Sequence, residues 1–373
     1  MKILGSRYDG LRLIGAPKKP RSVTIELKGV SGSAGQNGVI VNGADGVEVN
    51  GFYARHYRGN GFFAVNVDDY TFRNLVAGYG GVYGIYGYNS KGGEISNSEA
   101  FYNNDSGFYI GQTPLQTKPK RSIVKKVRSW GNVIGWSGTN MHYVTITKSD
   151  WYNNGLGIVP NALASEKYAP PSDNVIASNR IFWNNFNYYA GAPFKLRPEA
   201  TGDTPYPLGT GMLLLGSQDT LVEKNRVYGN WLAGFGAVEQ VLLAGEKDPK
   251  LQEAAVLRAN TVRDNRFGLG GDDLNGRDMV YEGSGTRNCF AGNTTLSPNV
   301  PASNSTFASC PGPAQNAFDN SARATLLGWV AAPSKANPIT FEQFWLTHPH
   351  SSQKGLKACT HYDKKKATAF SLC

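Results

Sequence analysis

A 23-residue glycine period, an alternation of apolar and outward positions after each glycine, and asparagines recurring at the turns predict one fold class. It is an all-β chain, a single-stranded right-handed parallel β-helix with an irregular C-terminal appendage. The period runs through Gly38, Gly61, Gly84 and Gly107. It returns, with extra residues spliced in, at Gly135, Gly157, Gly211, Gly234 and Gly268. The residue after each glycine is large and apolar: Val39, Phe62, Ile85, Phe108, Trp136, Ile158, Met212, Phe235 and Leu269. Strand side chains alternate between faces, so this column points into a shared interior. The next column (Ile40, Phe63, Tyr86, Tyr109, Ser137, Val159, Leu213, Gly236) faces outward.

A second strand follows in each coil, among them Val47–Val49, Tyr70–Phe72, Glu94–Ser96 and Val144–Ile146. The expectation is therefore strand, turn, strand and turn. One Asn column (Asn50, Asn74, Asn97, Asn179, Asn225, Asn260) follows the second strand. Another set (Asn60, Asn103, Asn104, Asn153, Asn154, Asn184, Asn185, Asn230, Asn265) precedes the next glycine. Asn tolerates left-handed backbone, and stacked amides bond coil to coil, so both sets are read as structural. The division expected is a β-helix over 1–295 and a cap over 296–373, where the phase is lost.

Composition bounds function more loosely. In 373 residues there are 45 glycines and only 18% charged side chains, which suits tight turns and short strands. A net charge of +10 favours acidic partners. The densest basic run, Lys118, Lys120, Arg121, Lys125, Lys126 and Arg128, is accompanied by no nucleic-acid module, so no nucleic-acid partner is expected. No apolar run is long enough to span a membrane. The start, Met1-Lys2-Ile3-Leu4, lacks a signal-peptide apolar region, so an exported form is expected to be processed or trimmed. Four cysteines, Cys289, Cys310, Cys359 and Cys373, all fall in the last quarter. They suggest disulfides and an oxidising compartment; Cys289–Cys310 with Cys359–Cys373 is the simplest of three pairings.

Insertions show where a site would gather. Three (Thr113–Lys120, Ala162–Asp173 and Gln240–Ala254) follow the first strand and are expected along one edge. Pro249–Ala254 in the third is compatible with a short helix. A fourth, Phe186–Thr210, precedes the strand at Gly211 and is expected at the other edge. Between them the outward face of the first strands is expected to floor a groove for an extended polymer. Phe63, Tyr86, Tyr88 and Tyr109 are the expected aromatic platform, with Asn66, Asn89, Gln112 and Asn140 aligned beyond it. Ring faces pack against sugar C–H groups, and amides bond hydroxyls.

Catalysis on a sugar chain needs a proton donor and acceptor. Asp105, beside Tyr109 and Gln112, is the best single acid by position, and His142, following Asn140, is the candidate base. Glu166 and Lys167, in the second insertion, are candidate substrate contacts. Arg55, His56 and Arg58 are candidates to neutralise a uronate. Asp272, Asp273, Asn275 and Asp278 cluster without the spacing of a calcium loop. No metal-binding His pair, Walker loop or Gly-x-Ser-x-Gly elbow is present, and no cofactor or metal is expected.

The stretches Gly84-Ile85-Tyr86-Gly87-Tyr88-Asn89-Ser90, Asp105-Ser106-Gly107-Phe108-Tyr109-Ile110-Gly111-Gln112, Gly135-Trp136-Ser137-Gly138-Thr139-Asn140 and Gly157-Ile158-Val159-Pro160-Asn161 resemble bacterial secreted β-helix repeat proteins. These form the NosD-like and alginate-epimerase-like subgroup of the pectate-lyase-like superfamily, and the resemblance covers about residues 8–295. It implies a secreted or cell-envelope location and a β-helix, and it does not select a reaction. The Asp-Pro-His-Asp signature of alginate epimerases and the acidic calcium site of pectate lyases are both missing. Two readings stand side by side. One is a lyase, glycosidase or epimerase acting on an acidic polysaccharide in the groove. The other is a non-catalytic carbohydrate-binding, structural or assembly protein of the cell envelope, with other envelope proteins as partners.

Overall fold

The computed structural model describes residues 1–164, 166–186, 188, 192–194, 206–239, 249–269, 274–302 and 305–331. The chain winds as a right-handed parallel β-helix. Each turn of the solenoid carries three strands rather than the two expected. Sheet 1 has ten strands, from Lys2–Leu4 to Met279–Tyr281. Sheet 2 has ten, from Arg12–Ile14 to Cys289–Ala291, and sheet 3 has nine, from Thr24–Glu26 to Arg266–Phe267. The third strand is only two to five residues long, with Ala54, Ala77 and Ala100 at its inward position, so it has little apolar signature in the early coils.

The interior is the column read from the glycines. Val39, Phe62, Ile85, Phe108, Trp136, Ile158, Met212 and Phe235 are all fully enclosed. Sheet 2 contributes Val49, Phe72, Ile95, Val124 and Ile146, and sheet 3 contributes Trp151, Ile181 and Val227. The glycines themselves have a steric cause. A Cβ on Gly84 would lie 2.4 Å from the Gly107 carbonyl oxygen, and one on Gly61 would lie 2.6 Å from that of Gly84. Each glycine thus lets the next coil close down on it. Gly268 is off this phase: it ends sheet 3 at φ +81°, Leu269 is exposed, and the last sheet 1 strand begins at Met279.

Asparagine ladders close the corners, but not in the columns expected. Asn103, Asn132, Asn154, Asn184, Asn230 and Asn275 form one ladder between sheets 3 and 1. Asn179, Asn225, Asn265 and Asn293 form another, and Asn260, Asn288 and Asn316 a third. Asn260 and Asn179 therefore belong to different corners, and Asn74 and Asn97 sit at left-handed turns instead. Within a ladder each buried amide donates to the next amide oxygen and to a main-chain carbonyl, which satisfies it without water.

Beyond the coils, Cys289 is bonded to Cys310; Cys359 and Cys373 lie outside the described residues. Helix Asn320–Ala331 packs Leu326 against the outward face of sheet 1, beside Val280 and Val238. Arg323 of this helix pairs with Glu282 (2.8 Å) and with Glu239. Pro249–Ala254 is helical.

Candidate functional site

The site begins with three strands of sheet 1: Phe62–Val65, Ile85–Tyr88 and Ser106–Gly111. Their register sets Phe63, Tyr86 and Tyr109 side by side on the outward face. Phe63 and Tyr86 stack at 4.5 Å between centroids, and Tyr109 meets Tyr86 edge-on at 4.7 Å. Tyr83, from the turn before Gly84, touches Tyr86 and Tyr109 at 4.8 and 4.7 Å. Tyr83 was missed from sequence. Its signal is an aromatic directly before a phase glycine, where the neighbouring coils carry Asn60 and Ser106.

The outward row does not lie open to solvent as expected. Tyr86 is 8% exposed and Tyr109 only 1%. The insertion 162–173 folds back over them, while Phe63, Tyr83 and Tyr88 stay half-buried. Further along, Val159 and Leu213 are covered by Phe186, Tyr188 and Leu208, and Val280 by Leu326. Of the outward face expected to floor a groove, the partly exposed aromatic side chains therefore lie in the early coils. The insertions expected as its other walls, at 240–248 and most of 187–205, lie outside the described residues.

The covering loop is fastened by polar side chains. The Asn140 amide donates to the Leu163 and Glu166 carbonyls (both 2.8 Å) and accepts from the Leu163 N–H (3.1 Å). Gln112 Oε1 accepts from the Tyr88 hydroxyl (2.8 Å) and the Lys167 N–H (3.0 Å). His142 Nε2 donates to the Tyr168 carbonyl (2.6 Å), and Nδ1 meets Ser172 Oγ (2.9 Å). Gln112 and Asn140 have φ near +50°, as do Asn66 and Asn89, so this amide column also serves left-handed turns. Asn89 donates to Asn66 in an exposed ladder at the rim.

The loop delivers Glu166 to Tyr109, 57 residues away in sequence; the Tyr109 hydroxyl donates to Glu166 Oε1 at 2.6 Å. Glu166 Oε2 is buried without a hydrogen-bond partner. Burial pushes the Glu166 carboxyl up to about 7, against a smaller opposing effect of the Tyr109 bond. Burial and then the Glu166 charge push the Tyr109 hydroxyl well up. Tyr86 is pushed up by burial first, then by Tyr83, Glu166, Tyr88 and Asp105, so both carboxyls lie within electrostatic reach of its ring. Asp105 Oδ1 accepts from Ser106 Oγ at 2.8 Å. Burial lowers the His142 imidazole.

Of the residues expected to act together, Phe63, Tyr86, Tyr88, Tyr109, Gln112, Glu166 and the Lys167 backbone meet here, with Asp105 within electrostatic reach of Tyr86. His142 stands at the loop's root, both ring nitrogens engaged. Arg55 and His56 are turned to Glu26 on the sheet 3 side, and Arg58 to the Gly32 carbonyl. Asp278 accepts from Asn275 and from the Leu296 and Ser297 N–H groups, as a turn does; Asp272 and Asp273 are outside the described residues. Among the described residues no three His, Cys, Asp or Glu side chains are grouped to hold a metal, and no helix is long and apolar enough to cross a membrane.

A second aromatic set was also missed. Phe101 and Trp130 stack at 4.5 Å on the outward face of sheet 3, and Phe182 stacks at 5.0 Å with both Tyr152 and Tyr228. The signal is a recurring aromatic-x-Asn triplet: Phe101-Tyr102-Asn103, Trp130-Gly131-Asn132, Tyr152-Asn153-Asn154, Phe182-Trp183-Asn184 and Tyr228-Gly229-Asn230. Where rings lie face to face, those faces are used in packing coil on coil.

No protein-family model and no curated protein matches the sequence. Among solved structures, the periplasmic alginate epimerase AlgG is similar at 14% identity and TM-score 0.49, over 69% of this chain and 55% of that one. The Azotobacter vinelandii mannuronan C-5 epimerase AlgE4 A-module is similar at 12% identity and TM-score 0.43, over 80% and 88%. A GH87 α-1,3-glucanase catalytic domain gives 13% and 0.44, over 80% and 54%. The chain spans little more than half of AlgG. Likeness at this level is likeness of fold.

Proposed function

We propose that this protein engages an extended, acidic polysaccharide on the outward face of sheet 1, over Phe63, Tyr83, Tyr86 and Tyr88. The observation that carries the reading is the Tyr109–Glu166 hydrogen bond, which brings a buried carboxyl to an outward aromatic floor. A net charge of +10 supports an acidic polymer. The Cys289–Cys310 disulfide supports an exported protein.

In the catalytic form of this reading the roles differ from those expected of the sequence. Glu166, half-protonated near neutral pH, is the proton donor. It protonates the bridging oxygen as the C–O bond breaks. Asp105 takes a proton from the water that attacks the sugar carbon, so one water is consumed per bond cleaved. Asn140 and His142 position the loop. Because Glu166 Oε2 is enclosed, the catalytic form requires the bound chain to reach that oxygen with the loop 162–173 still docked on Tyr109, since release returns the carboxyl to its ordinary range. That same enclosure favours the second reading, a non-catalytic carbohydrate-binding protein.

The test is a panel of uronate and neutral polysaccharides assayed for new reducing or unsaturated ends, with Glu166→Gln, Asp105→Asn and Tyr88→Ala. Turnover that falls at least a hundredfold in Glu166→Gln and Asp105→Asn supports the enzyme. Binding weakened by Tyr88→Ala, with no turnover on any polymer, supports the binding protein. If Tyr88→Ala leaves binding to every polymer unchanged, the floor is not the site.

A further inference from the structure

A groove of about 540 Å³ runs along the corner between sheets 2 and 3, away from the aromatic floor. One wall is the N-terminal segment carrying Lys19 and Arg21; the other is formed by Lys126, Arg128 and Lys148. Its volume falls within the range of ligand sites. Five cations line it against two acids, and both acids are already committed. Glu99 holds Arg21 at 2.8 Å and Arg128 at 3.5 Å and accepts from the Trp130 indole N–H; Asp150 is doubly bonded by Arg180.

What remains is a set of lysines. Lys19, Lys126 and Lys148 are exposed, and their ammonium groups make no hydrogen bond or ion pair among the described residues. Lys126 and Lys148 occupy the same corner of successive coils, since Lys125 pairs with Thr147 in the strand just before. They are therefore one coil apart, ~4.8 Å along the axis. Both stand at left-handed φ, +55° and +51°, where the preceding coils place Asn74 and Asn97. Asn is the residue such a corner favours, so lysine is held there against backbone preference.

We propose that this groove is a second site for an acidic polysaccharide, taking one carboxylate per coil from an extended uronate chain on Lys126 and Lys148, with Lys19 facing them. It borrows the polymer class from the proposed function but not the floor site. A uronate chain presents single carboxylates at about the spacing of one coil, and lysine serves as a point charge for each. The arginines that would clamp phosphate bidentately, Arg21 and Arg128, are turned to Glu99, which favours a carboxylate polymer over a nucleic acid.

The experiment uses the full chain with Tyr88→Ala and Glu166→Gln, which disables the floor, and titrates it calorimetrically with an oligogalacturonate and an oligomannuronate at low salt. Residual binding that weakens about tenfold on adding Lys126→Asn and Lys148→Asn, and that fades as salt rises to ~0.15 M, supports the groove. Asn suits the left-handed corners, so the fold is kept, and an unchanged thermal melt checks this. No residual binding once the floor is disabled overturns the groove and leaves the floor reading intact. Binding unaffected by the two lysine changes overturns it as well. Equal binding of single-stranded DNA would assign the groove to polyanions at large and overturn the sugar assignment.

Discussion

The buried Glu166 carboxyl ties the docking of loop 162–173 to pH. Its pKa rises from an ordinary 4.5 to about 7 in the docked loop. The docked form therefore holds its proton more tightly than the released form. The stabilising contribution is fully present below about pH 4.5, declines as pH rises, and is lost once pH has passed about 7. At ~1.4 kcal/mol per pH unit the ceiling is about 3 kcal/mol. Water at the half-exposed parts of the loop reduces it, so about 1–3 kcal/mol is expected. The His142 imidazole, lowered by burial, works the other way: docking is weakened as pH falls and the ring takes up a proton. The informative quantity is thus the difference between Glu166→Gln and the unaltered protein, in which His142 cancels. That difference is expected near zero at about pH 4 and to grow to 1–3 kcal/mol in favour of Glu166→Gln above about pH 7.5. Hydrogen exchange of the Leu163 and Lys167 amides, which bond Asn140 and Gln112, reads it directly. Corrected for intrinsic rates, the ceiling is on the order of a hundredfold in protection. A difference that stays constant across this range would show that the Glu166 carboxyl is not held in the enclosed environment described, and the assignment of Glu166 as a neutral-pH acid would fall with it.

Two further outcomes test the solenoid. Asn184→Ala removes a rung from the six-member ladder and leaves the Asn154 N–H groups and the Trp151 carbonyl without their partner; a loss of about 2–4 kcal/mol is expected in denaturant melts, against about 0.5 or less for an exposed Lys118→Ala. Gly84→Ala places a methyl 2.4 Å from the Gly107 carbonyl oxygen, and 2.8 Å from Ala100 Cβ, so a drop of roughly 2 kcal/mol or more is expected, whereas Gly328→Ala, with open space around it, is expected to be near neutral by the same melts.

Much of the scaffold was legible because the solenoid is repetitive and its steric demands recur at fixed spacing. Phe62, Phe108 and Trp136 were assigned to the interior from the glycine phase alone, and that is where they lie. The third strand was missed because it is only two to five residues long, with alanine at its inward position in the early coils; the aromatic-x-Asn triplet is its recurring mark. Gly268 misled for a related reason: an insertion shifted the phase, and a glycine needed for a positive φ took the place of one needed for close packing. The asparagines were recognised as structural, yet their allocation to corners depends on counting three turns per coil instead of two.

The site was legible as a set of residue types but not as an arrangement. Tyr86, Tyr88, Tyr109, Gln112 and Glu166 were all named from sequence. That Glu166 would end on the Tyr109 hydroxyl, and that Asn140 and His142 would fasten its loop, follow from how the insertion folds back, which local pattern does not encode.

Local chemistry by itself determined the outward and inward faces of sheet 1 and the basic charge of the chain, whereas the pairing of Cys289 with Cys310, one of three open from sequence, was decided by the fold. The folded chain decided which outward rings are covered, which carboxyl is shut away from water, and which lysines have no partner among the described residues. The reason is physical. Burial and the shift of a carboxyl depend on what a distant segment lays over a residue, whereas alternation along a strand depends only on its neighbours.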